Sequence, residues 1–158
     1  MGGKMASMPV EWIFLDAGIF IGALLKDDKR HTEARAIVES ARRLEFIACT
    51  SAGVLSEVYG ALTWVRAKPP MTLVEPPSAI HVLGDGLGVS LRTLKLAASH
   101  NLTARRIHDA RHAATALEDG VTSVYTYDID DWKVFEPDNI HIAGPASTLD
   151  KLKTKKDK

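Results

Sequence analysis

Four acidic residues, Asp16, Glu57, Asp109 and Asp128, occupy places in the sequence where a charge is costly. Asp16 interrupts the apolar run "IFLDAGIFIGALL", and a carboxylate taken out of water costs several kcal/mol unless it is paired, protonated or bound to a cation. On a helical wheel advancing about 100° per residue, Asp109 falls within an apolar arc of Ile107, Ala110, Ala113, Ala114, Ala116 and Leu117. Arg111, Thr115 and Glu118 fall opposite, and His108 and His112 lie outside the arc. Glu57 borders the apolar face of its own helix beside Ala61, and Asp128 ends the β-favouring run "VTSVYTYD". Four acids turned towards one sheet repel one another by several kcal/mol, and no inward Lys or Arg is an evident partner. All-oxygen donors of this kind suit a hard cation, Mg²⁺ or Mn²⁺. Such ions activate water and stabilise the charge that develops during in-line displacement at a phosphodiester. The competing reading is that each acid caps a helix or pairs separately, Asp16 being a favoured residue at the N-cap of "AGIFIGALL".

The elements that must position these acids follow from the pattern around them. "EWIFLD" reads as a buried strand ending at Asp16, with a helix directly after it. "HTEARAIVESARRL" predicts a second helix and "EFIACT" a second strand. Ser51 is placed to cap "AGVLSEVYGALTWVRA", whose Val54, Leu55, Val58, Leu62 and Val65 share a face. "KPPMTLVEPPS" breaks the periodicity with four prolines and reads as a loop. "AIHVL" is a short strand and "GVSLRTLKLAASHNL" a helix. Thr103 is placed to cap "ARRIHDARHAATALEDG", which stops at Gly120. "VTSVYTYD" and "NIHIAG" are the last strands. Alternation of strand and helix predicts an α/β fold, a three-layer α/β/α sandwich on a mostly parallel sheet. Ligands in such sheets sit beyond the carboxyl ends of the strands, where Asp16 and Asp128 are placed.

Composition bounds the rest. A chain of 158 residues, 46% hydrophobic and 25% charged, is a single soluble domain with a real core. Residues 11–147 are read as that domain. Residues 1–10 form a polar leader, disordered or added for expression, and residues 148–158 a basic, disordered tail. Lys plus Arg equals Asp plus Glu at 20 each, so attraction to phosphates must come from a local basic patch. Lys26, Arg30, Arg42, Arg43, Arg105, Arg106, Arg111 and the tail from Lys151 are the residues available for one. The single Cys49 excludes an internal disulfide and suits a reducing cytoplasm or a buried core position. The longest apolar stretch is too short to span a bilayer, and Asp16 breaks it as a signal peptide.

"FLDAGIFIGALL", "SAGVLSEVYGAL", "HDARHAATALEDG" and "VYTYDID" stand in the order and spacing of PIN-domain ribonucleases, and the chain resembles their VapC-like toxins from Ile13 to about Pro145. The resemblance implies a PIN-like sandwich, a site binding Mg²⁺ or Mn²⁺, and hydrolysis of RNA phosphodiesters by metal-activated water in the cytoplasm. By motif match, Asp16, Glu57, Asp109 and Asp128 are the catalytic, metal-binding acids, with Asp130 a fifth acid nearby. Ser51 and Thr126 match hydroxyl residues that support the site by hydrogen bonds. It also implies RNA as substrate, a homodimer, and a small antitoxin, whose contacts Tyr59, Trp64 and the proline-rich loop are placed to provide. One departure stands out. Many members follow the first aspartate with Thr-Asn, where this chain has Ala17-Gly18, so a polar group beside the site is missing.

Two other readings compete. "HDARH" places His108 and His112 at i and i+4, close to the zinc-hydrolase pattern HExxH. The wheel puts both outside the arc that holds Asp109, and no third ligand follows at a characteristic spacing. A non-catalytic RNA- or protein-binding module of the same fold is the second, favoured by the missing Asn and neutral net charge and opposed by four intact acids.

Overall fold

The computed structural model describes residues 10–64 and 79–157; the leader up to residue 9 and the proline-rich segment lie outside them. In chain order the elements are β1 (Trp12–Leu15), α1 (Ala17–Leu24), α2 (His31–Arg42), β2 (Ile47–Ser51), α3 (Ala52–Trp64), β3 (Ile80–Leu83), α4 (Leu87–Ser99), α5 (Arg106–Glu118), β4 (Ser123–Tyr125), α6 (Ile129–Lys133), β5 (His141–Gly144) and α7 (Ala146–Lys156). The strands form one sheet in the order β3-β2-β1-β4-β5. Every pairing is parallel. Helices flank the sheet, as the alternating pattern predicts.

A parallel sheet covered on both faces needs strands that are apolar throughout. β1 meets this with Ile13, Phe14 and Leu15, all buried at its centre. In β2, Ala48 and Cys49 are buried, and the enclosed Thr50 hydroxyl donates to the Leu15 carbonyl at 2.9 Å. Phe14, Leu15, Ile19, Leu62, Phe135 and Ile140 are among the largest fully enclosed side chains, each worth roughly 1.5–3 kcal/mol of transfer free energy.

Helix boundaries follow local chemistry. The Ser51 hydroxyl oxygen accepts the Val54 amide at 3.0 Å and caps α3, as its position predicts. Gly120 ends α5 with φ +70°, a conformation that costs other residues about 1–2 kcal/mol, and the Val121 amide turns back to the Ala116 carbonyl at 2.9 Å. Thr103 does not cap with its side chain; α5 begins at Arg106 without a side-chain cap.

The tail expected from residue 148 is instead helical, as α7. Its first turn is tied down: the buried Thr148 donates its hydroxyl to the Thr126 carbonyl at 2.8 Å, and the Ser147 amide and hydroxyl donate to Glu33 at 3.1 and 2.6 Å. Lys153, Lys155 and Lys156 in the last turn suit the negative end of the helix dipole.

The chain runs outward through β1, β2 and β3, then crosses back to place β4 on the other side of β1. Strand order therefore reverses between β1 and β4, and the crevice at their carboxyl ends is the expected ligand position.

Candidate active site

That crevice is a cleft of about 410 Å³ lined by Asp16, Ala17, Gly18, Arg30, Glu57, Asp109, His112, Tyr127, Asp128, Asp131 and Trp132. All four predicted acids are among them.

Asp16 follows β1 directly and occupies the N-cap of α1 without a side-chain cap bond. Its Oδ2 instead accepts the Thr126 hydroxyl at 2.7 Å and the Trp132 indole N–H at 3.0 Å. Burial pushes its carboxyl above the usual range, while Thr126, the Ala17 amide, Trp132 and the His112 charge oppose the shift. Thr126 is fully buried and fixed, since its oxygen also accepts the Asp128 amide at 2.9 Å. The hydroxyl of this threonine is thus directed at Asp16.

Asp109 projects from the first turn of α5, with Arg106 Nε 3.7 Å from its Oδ2. Burial raises its pKa, His112 and Arg106 counteract, and Asp16 and Asp128 push it further up. Asp128 caps α6, accepting the Asp131 amide at 3.4 Å.

Asp131, not Asp130, is the fifth acid of the cleft. Burial, a hydrogen bond with Asp128 and the charges of Asp109 and Asp128 push its carboxyl up to about 7. Asp130 is 87% exposed and lies 3.8 Å from Lys155 of α7. In a helix as short as α6, two adjacent acids point in different directions and only the fold decides which faces inward.

His112 is the second correction. The wheel placed it outside the apolar arc, yet it is 4% exposed and joins two elements of the site. Its Nε2 lies 2.8 Å from Glu57 Oε1 and its Nδ1 3.0 Å from the Ser51 hydroxyl. A carboxylate can only accept, so Nε2 carries the proton towards Glu57. Ser51 therefore supports the site through His112. Thr115, expected on the solvent side, is buried too, whereas Ile107 is exposed. The small Ala110, Ala113, Ala114 and Ala116 let neighbours close around α5 on nearly every side, which widens the buried arc beyond what periodicity shows. His108 is exposed and both ring nitrogens of His112 are engaged, so the two histidines do not form a zinc pair.

Donor chemistry at the cleft fits a hard divalent cation: its acids offer only oxygen donors, and burial first, then the neighbouring carboxylates, push Asp109 and Asp131 up. Among the described residues, however, no three His, Cys, Asp or Glu side chains converge closely enough to hold a metal as they stand. They line the walls of the cleft.

A PIN domain family model matches residues 13–135. The chain belongs to the PIN domain family. Among solved structures, this PIN domain is similar to Mycobacterium tuberculosis VapC20, a toxin that cleaves the sarcin-ricin loop. The TM-score is 0.67 at 18% identity, covering 84% of this chain and 99% of that one. It is similar also to a toxin-antitoxin complex from Klebsiella pneumoniae, with TM-score 0.56, 18% identity, and 76% and 89% of the two chains covered. VapBC2 from Rickettsia felis, bound to a DNA fragment from its promoter, gives 0.55 at 15% identity over 77% and 91%. At such identities the likeness establishes the fold. No curated protein matches the chain.

Proposed function

We propose that this PIN domain is a metal-dependent endoribonuclease of the VapC-like type, hydrolysing RNA phosphodiester bonds. The observation that carries the reading is the gathering of Asp16, Asp109, Asp128 and Asp131, with Glu57, in one cleft at the point where strand order reverses. Asp16, Asp109 and Asp128 are the residues to hold Mg²⁺ or Mn²⁺, with Glu57 beside them. When bound, a divalent cation polarises water and offsets charge on the phosphate. Thr126 and Trp132 orient Asp16, and His112 orients Glu57. Asp131 adds a fifth carboxyl to the cleft beside Asp128.

The fold similarity to toxin-antitoxin complexes supports a small antitoxin as partner. Tyr59, exposed on α3, is available to it, while the Trp64 side chain and the proline-rich segment lie outside the described residues. A homodimer is supported by α4, which leaves Leu87, Leu91 and Leu94 exposed at i, i+4 and i+7. Among the described residues no helix is long and apolar enough to cross a membrane.

The test is incubation of a structured-RNA pool with Mn²⁺, Mg²⁺ or chelator, comparing the unmodified chain with Asp109→Asn. Cleavage that needs the metal and disappears in the variant is the expected result. RNA left intact by both proteins, with no rise in melting temperature on adding Mn²⁺, would discard the nuclease in favour of a non-catalytic binding module.

A further inference from the structure

Arg30 is the one lysine or arginine among the residues that line the acidic cleft. It stands in the turn before α2, where the Asp28 carboxylate accepts its backbone amide at 2.8 Å. Its guanidinium carbon lies 4.5 Å from the centroid of the Tyr127 ring. Arg35, Arg42, Arg43, Arg92, Arg106 and Arg111 are each within ion-pair reach of a carboxylate. Among the described residues Arg30 has no such partner, although five acids share its cleft.

The platform beneath it is built. The Tyr127 hydroxyl donates to Glu33 Oε1 at 2.9 Å, and the same carboxylate accepts the Ser147 amide and hydroxyl, so Glu33 is committed to these bonds. Position 18 makes room for the pair. A Cβ there would sit 3.2 Å from Tyr127 Cδ2 and 3.9 Å from Arg30 Nη1, so any side chain larger than glycine would crowd the ring. Ala17-Gly18 thus removes a polar side chain and lets a cation rest against the first turn of α1.

Lying over Tyr127 at the cleft wall, the guanidinium has none of its five N–H donors engaged by a carboxylate among the described residues, and such a fork matches two phosphate oxygens. An acidic cleft repels a nucleic-acid backbone, so a fixed cation at its wall supplies the attraction that places the strand. We propose that Arg30, held on Tyr127, binds a backbone phosphate of single-stranded RNA beside the bond at the acids. This subsite rests on the nuclease reading for its substrate, but it is tested by binding alone.

The measurement is fluorescence anisotropy of a short labelled single-stranded RNA at fixed Mn²⁺ over a range of KCl. It uses the Asp109→Asn chain to suppress cleavage, with and without Arg30→Ala, Arg30→Gln or Arg30→Lys. Loss of the charge is expected to weaken binding about tenfold and to flatten the plot of log affinity against log salt by about 0.7, the value for one single-strand phosphate contact. Arg30→Lys keeps the slope and loses affinity only a few-fold, because the charge remains and the fork does not. Arg30→Gln keeps length and polarity should Arg30→Ala fail to fold. Unchanged affinity and slope in both neutral variants overturn the subsite, as does a parent chain that binds no RNA. An unmodified chain that binds RNA with the expected slope but never cleaves it overturns the nuclease reading and leaves the subsite standing.

Discussion

Glu33 lies outside the cleft, yet it fixes one wall of it by accepting hydrogen bonds from Tyr127 and Ser147. Burial pushes its carboxyl up, but the Ser147 hydroxyl and amide, the Tyr127 hydroxyl and the Lys151 charge outweigh burial and hold it below the ordinary glutamate value. A depressed folded pKa stabilises the protein above the unfolded value of about 4.3, and that contribution is lost as pH falls through the folded value. Glu33→Gln is expected to lower stability by roughly 1–2 kcal/mol at neutral pH. The gap to the unmodified chain should close as pH falls through the folded value, which urea titrations at neutral and at acid pH would show; an equal gap at both would mean the charge contributes nothing. Residue by residue, the gathering of the four acids was legible because Asp16 interrupts an apolar run, Asp109 lies in an apolar arc, Glu57 borders an apolar face and Asp128 ends a strand pattern. His112 and Asp131 were not. What surrounds them comes from the fold: Glu57 and Ser51 of other elements hold the histidine, and Asp131 shares its cleft with Asp109 of α5.

At the scale of elements, α3 and α5 meet where Gly53 faces His112. A Cβ on Gly53 would stand 3.0 Å from His112 Cε1, on a ring already held between Ser51 and Glu57. Ala is normally the better helix residue, by about 0.5–1 kcal/mol. Crowding a held ring costs more than that gain, about 1–3 kcal/mol, so Gly53→Ala is expected to lower the melting temperature and to reduce RNA cleavage about tenfold. A variant that loses stability and keeps full activity would show that the position of His112 does not matter to the reaction. The succession of strands and helices along the chain, the short α6 apart, the Ser51 cap and the Gly120 stop could all be read locally, because hydrophobic period and turn chemistry are local signals. α7 could not. Its sequence is rich in lysine, and what anchors it is tertiary: Thr126 and Glu33, both more than twenty residues away.

For the molecule as a whole, the exposed leucines of α4 make the proposed homodimer testable. Leu91→Lys is expected to shift sedimentation from dimer to monomer while changing stability by less than about 0.5 kcal/mol, since the side chain is 58% exposed. An unmodified chain that sediments as a monomer at working concentration would remove the dimer. Fold class was legible at this scale; the order of strands was not, because nothing local in the sequence says that β4 returns to lie beside β1. That return has a consequence for how the protein is made. Asp16 leaves the ribosome well before the partners that fix it, Thr126 and Trp132, which follow 110 and 116 residues later. Contacts so distant in sequence form late in folding, and a chain synthesised from its N-terminus cannot assemble the acidic cleft until α6 has emerged. On the proposed nuclease reading, a half-made copy cannot cut the message being read.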